Sequence, residues 1–399
     1  CIRDRASPFA FYRAGARIMA TDLARTPVSG LMVQACGDAH LANFGLYASP
    51  ERKMVFDLND FDETLQGPWE WDLKRLVTSV VIAARHNQLK RSESLKASRL
   101  AVQGYRRAMH RFADMRVMDI WYSLLDETDY LSLAHRELSE RARNTIARAK
   151  RKHSRQALDR LAEEVDGKYR IKSEPPLLVP LRELGETFAL LNQQLILEAY
   201  ESYKEGVSPD RRVLLEKCKP IDFALKVVGV GSVGTRCWIM LLEGRDRNDP
   251  LFLQMKEATS SVLAEHLSPS PYQNQGRRVV EGQRLMQTVN DILLGWTHVS
   301  EAGRDYYWRQ LRDWKGSVDV EDLDAAALAE YARACAWTLA RAHARTGDPV
   351  TIAGYLGSSN TFDNSVAEFA ERYADQNQQD YESFVQEVRH GHLVVATES

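Results

Sequence analysis

The sequence predicts an α+β protein in which a small β-rich lobe is embedded between two halves of a mainly helical lobe. Three observations predict it. Apolar residues recur at helical spacing from Pro68 to about Tyr203, and helical patterning returns beyond Asp322. Between residues 207 and 315 that texture gives way to short apolar runs divided by a glycine-rich loop and a charged turn. Two further strand-like runs lie early, within residues 31 to 60. The expected organisation is a catalytic-loop and helical region over 1–206, a β-rich region over 207–315 and a returning helical region over 316–399.

In chain order, residues 8 to 25, through Ile18, Met19 and Leu23, read as one amphipathic helix. Two strands joined by the tight connection Ala48-Ser-Pro-Glu-Arg52 fill 31 to 60. The 3.6-residue spacing of Leu73, Leu76 and Val80, and of Leu100, Tyr105 and Met109, predicts long helices, which Lys172-Ser-Glu-Pro-Pro176 interrupts because proline cannot continue a helix. Ala224–Val230, Cys237–Glu243 and Leu251–Glu257 predict strands, with the charged turn Gly244–Pro250 between the last two. A helix follows over Gln275–Val289, then apolar segments at Asp291–Thr297 and Tyr306–Leu311, and helices over Asp322–Ala344 and Ser365–Val388. The chain shows no internal repeat and no low-complexity tract.

The chain has 399 residues, enough for two or three lobes, and its 44% apolar and 27% charged content is that of an ordinary soluble protein. A net charge of -2 recommends neither nucleic acid nor an anionic membrane as partner. The basic run Arg141–Arg155 is offset by Glu137, Glu140, Glu163 and Glu164 and lacks interleaved aromatics, so it reads as a solvated helix face. Five scattered cysteines without metal-type spacing suit reduced thiols and a cytoplasmic location. No apolar run approaches the ~20 residues of a membrane span and no secretory signal is seen. Because the chain opens on Cys1, residues upstream of it are expected.

Polar residues concentrate where strands end. Leu31–Cys36 delivers Asp38, Asn43 follows five residues on, and Val55–Leu58 runs into Asp60. Such residues are common turn formers. Together they also match what phosphoryl transfer requires: a carboxylate to orient a hydroxyl, and an amide with a second carboxylate to hold Mg²⁺. Asp57 and Asp62 alternate with Asp60, so that either can share the metal or simply face water. Downstream, Val228-Gly-Val-Gly-Ser-Val-Gly234 lies between two strand-like runs, a hairpin context suited to covering phosphates. Lys256 ends a buried-looking strand, where a lysine either reaches solvent from the strand edge or takes a ligand or ion-pair partner. The glycine loop favours the second, and Glu281, on the next helix, is the candidate. Asp72 is expected to accept hydrogen bonds from loop backbone, and His40 to be a structural histidine.

Ser7-Pro-Phe-Ala-Phe-Tyr-Arg13, Cys36-Gly-Asp-Ala-His-Leu-Ala-Asn-Phe-Gly45, Phe56–Glu63 and Leu339-Ala-Arg-Ala-His-Ala-Arg345 resemble the signatures of an uncharacterised bacterial domain-of-unknown-function family. More distantly, the candidate site resembles the protein kinase-like superfamily, in particular the aminoglycoside and choline phosphotransferases. That resemblance implies ATP and Mg²⁺ as cofactors and a hydroxyl acceptor. It makes Asp38 the catalytic base and Asn43 and Asp60 metal ligands; Asp72 buttresses the loop. Gly229, Gly231, Ser232 and Gly234 would cover the phosphates, with Lys256 and Glu281 as an ion pair. Two departures stand out: Cys36 occupies the place of a histidine, and the β-rich lobe follows the catalytic loop, which implies a circular permutation. Adenylyl transfer on the same fold, a two-metal phosphoesterase using Gly37-Asp-Ala-His40 and His390-Gly-His392, and a non-catalytic nucleotide-binding domain are the alternatives.

Overall fold

The computed structural model describes residues 7–133, 136–150, 154–227, 235–311 and 315–393. The chain starts with helices α1 (Pro8–Ala14) and α2 (Ala16–Leu23), so Gly15 divides the single helix expected there. Ser7 caps the first, its hydroxyl accepting the Ala10 N–H at 3.1 Å. Strands β1 (Met32–Ala35), β2 (Phe44–Ala48), β3 (Met54–Leu58) and β4 (Leu65–Pro68) form two small antiparallel pairs, β1 with β4 and β2 with β3. Six helices follow: α3 (Trp69–His86), α4 (Arg91–Ala113), α5 (Val117–Tyr122), α6 (Glu127–Leu133), α7 (Arg136–Lys150) and α8 (Ser154–Leu161).

Strands β5 (Ala162–Val165), β6 (Lys168–Ile171) and β7 (Leu178–Pro180) then replace the helical continuation that the sequence predicts to Tyr203. The β5–β6 hairpin turns on Asp166 and Gly167, at φ 51° and 73°. Paired positive φ values are what an Asp-Gly hairpin turn requires. Helices α9 (Glu186–Gly206) and α10 (Pro209–Glu216) lead into β8 (Lys219–Lys226), β9 (Cys237–Glu243) and β10 (Pro250–Ala258). Helix α11 (Gln275–Met286), strands β11 (Gly295–Val299) and β12 (Arg304–Gln310), and helices α12 (Ala325–Thr346), α13 (Pro349–Leu356) and α14 (Thr361–Arg389) complete the chain. The architecture is mixed, 54% helix and 19% strand, in keeping with the α+β expectation.

One antiparallel sheet of six strands, in the order β11-β12-β10-β9-β8-β7, forms the β-rich part. It begins earlier than the expected boundary at residue 207. Strand β7 is its edge, and α9 belongs to it through Tyr203, which stacks on Trp308 at 4.9 Å. Strand alternation sorts its faces. Leu253, Met255 and Trp308 join the core under Tyr200 and Tyr203, whereas Gln254 and Lys256 face the other way, in register with Arg309 and Tyr307. That second face carries Ile239, Leu241 and Phe252 against α8, and polar side chains toward the helical part. The largest core lies among α3, α4 and α12, where the alanines of α12, Ala332, Ala336 and Ala340 among them, are fully buried. Beyond β12 the chain rejoins this lobe at Gly316, which exchanges two backbone hydrogen bonds of 2.8 Å with Leu46.

Candidate active site

Strand β1 ends at Ala35 and hands the chain through Cys36 to Gly37 and Asp38. Gly37 has a φ of +81°, and a Cβ there would lie 2.3 Å from the Glu63 carbonyl oxygen, so only glycine fits. Buried Asp72, in the first turn of α3, accepts the N–H groups of Cys36 at 2.6 Å and Gly37 at 2.9 Å, as expected of it. His343 Nε2 lies 3.2 Å from the same carboxylate, and the Tyr105 hydroxyl lies 2.8 Å from His343 Nδ1. A column from α4 and α12 thus fixes the loop from beneath. Burial, aided by the Asp72 charge, pushes the Cys36 thiol well above its usual pKa, so this sulfur is no nucleophile.

Asp38 is held from the side. Arg75 Nε and Nη2 both reach its Oδ1, at 2.7 Å each. Arg75 also donates to the Tyr12 carbonyl oxygen at 3.0 Å and lies over the Tyr12 ring, while the Tyr12 hydroxyl donates back to the Arg75 carbonyl at 2.8 Å. Helix α1 is therefore a brace for the loop. Oδ2 is left facing His40 Nε2 at 3.6 Å and the cleft, and the side chain keeps 22% exposure. Burial lowers the His40 pKa to about 4, so the ring is neutral at pH 7, consistent with a structural histidine.

Asn43 joins two loops. Its Nδ2 donates to the Asp38 and Asp60 carbonyl oxygens at 3.0 Å each, and its Oδ1 accepts the Asp60 N–H at 2.7 Å. One lone pair of Oδ1 is thereby engaged. The Asp60 carboxylate is the open one: its partner is the Asp62 N–H at 3.3 Å, and its surface reaches solvent. Desolvation in the cleft, then the neighbouring Asp62 charge, raises its pKa. Asp62 is already bound. It forms an ion pair with Lys256 Nζ and accepts the Tyr307 hydroxyl at 2.8 Å. Burial alone would depress the Lys256 pKa, but Asp62, with Tyr307 and Asp60 behind it, carries it well above normal, and the Asp62 pKa is lowered in turn.

Asp57 is not at this opening. It is buried against Arg341 Nη2 at 2.5 Å and accepts the Leu58 N–H, a structural ion pair between β3 and α12. The expected Lys256–Glu281 pair does not form either. Glu281 pairs with Arg284 one helical turn on, at 3.3 Å, because the inner face of α11 is set by Val279, Val280, Gln283 and Met286. What α11 sends to the site is Arg278, which donates to the carbonyl oxygens of Asp62 at 2.7 Å, Thr64 at 2.6 Å and Thr259 at 2.9 Å. Gly229, Gly231, Ser232 and Gly234 lie outside the described residues.

The structure thus brings Asp38, Asn43, Asp60, Asp62 and Lys256 together and leaves Glu281 out. It adds Arg75, Arg278, Tyr307 and His343, none of which was singled out beforehand. His390 and His392 stand with Glu387 at the exposed end of α14, where His392 Nδ1 lies 2.8 Å from the Glu387 carboxylate. Among the described residues no helix is long and apolar enough to cross a membrane.

No curated protein and no solved structure matches this chain. Residues 3–387 match the family described as "Uncharacterized protein conserved in bacteria (DUF2252)", and the chain belongs to that family.

Proposed function

We propose that the chain is an ATP- and Mg²⁺-dependent phosphotransferase acting on a hydroxyl acceptor, built as a circularly permuted kinase-like fold. The supporting observation is the pairing of Lys256 with Asp62 across 194 residues, beside the open Asp60 and the braced Asp38. A lysine from a sheet and carboxylates from a loop, gathered in one cleft, form the minimal electrostatic apparatus for phosphoryl transfer.

The donor set fits Mg²⁺, a hard cation that takes oxygen ligands. Asp60 would hold it, with the remaining Asn43 Oδ1 lone pair beside it. When bound, the ion supplies charge neutralisation on the nucleotide phosphates. Lys256, paired with Asp62 in the metal-free chain, would turn to a phosphate oxygen of the bound nucleotide. Asp38 Oδ2 orients the acceptor hydroxyl and takes its proton as the acceptor oxygen bonds the γ-phosphorus and the β–γ bridging bond breaks, leaving ADP. Arg75 keeps Oδ1 occupied, so that Oδ2 is the oxygen presented. The neutral His40 ring adds no competing charge.

The test is incubation of the protein with Mg²⁺ and ATP labelled at the α or the γ position, scored on the protein and on candidate small-molecule acceptors. Transfer of γ-label is expected; α-label would mean adenylyl transfer. Asp38→Ala should abolish transfer while leaving Mg·ATP binding within about twofold. Failure of the wild-type chain to bind Mg·ATP overturns the proposal.

A further inference from the structure

Next to Asp60, but apart from the Lys256–Asp62 pair, a cleft of about 90 Å³ opens between the β2–β3 connection, α11 and the end of β12. Three cations line it, Arg52, Arg309 and Lys315; Arg52 is already engaged, which leaves Arg309 and Lys315. Arg309 leaves β12 on the same face as Tyr307, and its Nε donates to Gln254 Oε1 at 2.8 Å. Among the described residues its other guanidinium nitrogens have no acceptor, and Lys315 Nζ has no hydrogen bond or ion pair. The carboxylate in the same wall, Asp291, accepts the N–H groups of Leu293 at 2.8 Å and Gln310 at 2.5 Å, and its charge partly supports that of Lys315. Arg309 and Lys315 repel each other in this cleft and have lost part of their hydration. The Asp60 and Asp62 charges offset this for Arg309, whereas at Lys315 the repulsion and burial outweigh Asp291 and Asp60, an imbalance that an anion relieves.

We propose that this cleft is a binding site for an oxyanion of the phosphate or sulfate type, held between Arg309 and Lys315. A planar guanidinium and an ammonium are the usual donors for such groups, the first as a fork and the second as a point charge. Asn59, which also lines the cleft, offers an amide beside them. The strain between the cations is visible at Lys315, whose pKa falls to about 7, with the Arg309 charge the largest cause and burial the second. Asp291 and Asp60 oppose that fall and Lys256 adds to it. The site needs neither nucleotide nor Mg²⁺, so it stands or falls separately from phosphotransfer.

Calorimetric titration of the full chain with sodium sulfate, inorganic phosphate and acetate, in buffer containing EDTA, tests it. Saturable binding of sulfate and phosphate is expected, with acetate weaker. Lys315→Met and Arg309→Met should each weaken sulfate binding about tenfold or more, the loss expected for one charged hydrogen-bonding group. Sulfate keeps its charge across neutral pH. Its affinity for the wild type should therefore fall as pH rises through about 7, where Lys315 loses its proton. Lys315→Arg should bind sulfate without that fall, a readout that holds even if the methionine variants fold poorly. Absence of saturable sulfate and phosphate binding to the wild type overturns the proposal, as does a folded Lys315→Met with unchanged affinity.

Discussion

Arg75 touches Asp38 Oδ1 through both Nε and Nη2 at 2.7 Å, and the same guanidinium donates to the Tyr12 carbonyl oxygen. The first helix of the chain therefore reaches the candidate base through one buried side chain. Lysine cannot reproduce this, because a single ammonium lacks the fixed fork that spans both partners. Arg75→Lys should lower stability by about 1–3 kcal/mol, the range for charged hydrogen bonds lost in a buried setting. Turnover should fall about tenfold or more through misplacement of Asp38. Urea unfolding checks the first; an unchanged midpoint would mean that α1 does not brace the loop.

Asp60 and Asp62 should respond oppositely to the same change. Asp62 holds Lys256, so Asp62→Asn leaves a buried ammonium without its partner and should cost about 3–5 kcal/mol. The lowered Asp62 pKa means that this contribution is present above the unfolded value near pH ~4 and is lost as pH falls through the folded one. Asp60 has a raised pKa, so its charge is disfavoured in the folded chain. Asp60→Asn should stabilise the metal-free protein slightly at pH ~7, on the order of a few tenths of a kcal/mol because the carboxylate reaches solvent. It should also remove Mg²⁺-dependent ATP binding. Thermal melts of both variants, with and without Mg·ATP, decide the matter. Equal destabilisation by the two would show that Asp60 is structural.

Asp72 carries the loop through two backbone N–H groups, and His343 backs it. Replacing Asp72 by Asn swaps one acceptor oxygen for a donor, which must face either Cys36 N–H or Gly37 N–H. One buried donor is then left unsatisfied, at a cost of about 1–3 kcal/mol. Amide hydrogen exchange gives the local readout. The Cys36 and Gly37 amides should exchange faster in Asp72→Asn, while the amides of β9 and β10 keep their protection. Uniform acceleration would mean global destabilisation instead.

What the sequence disclosed follows from the range over which each signal acts. Asp38, Asn43 and Asp60 sit at strand ends, where local pattern speaks. Asp72 begins a helix whose apolar period is plain, and the strand around Lys256 is flanked by turns. Arg75, Arg278 and Arg341 were silent because their partners are 37, 216 and 284 residues away, and an arginine on an apolar helix face does not name its acceptor. Glu281 fails as the Lys256 partner because of helical phase. Val279 and Val280 fix the inner side of α11, and two residues past Val279 is about 200° around the helix. That phase places Glu281 beside Arg284, as found. The β5–β6 hairpin carries a readable Asp166-Gly167 turn, but the helical periodicity on either side of it is the stronger local signal.

Glu63 supplies a pH signature specific to the loop. Its Oε2 accepts the Val262 N–H at 2.7 Å, yet burial, with the charges of Asp62 and Asp38, lifts its pKa to about 7. In the unfolded chain a glutamate titrates near ~4.3. The folded state therefore holds a proton that the unfolded state has released, and this group favours folding less as pH rises from about 4.3 to 7. Other carboxylates, Asp62 among them, act in the opposite sense at lower pH, so the difference between wild type and Glu63→Gln isolates the effect. Unfolding free energies by urea at pH ~5 and ~8 should show the wild type losing more stability over that interval than Glu63→Gln. About 3 kcal/mol is the upper limit for such a shift. Equal losses would mean that Glu63 is ionised throughout, and that the Gly37–Glu63 contact holds the loop without any titration.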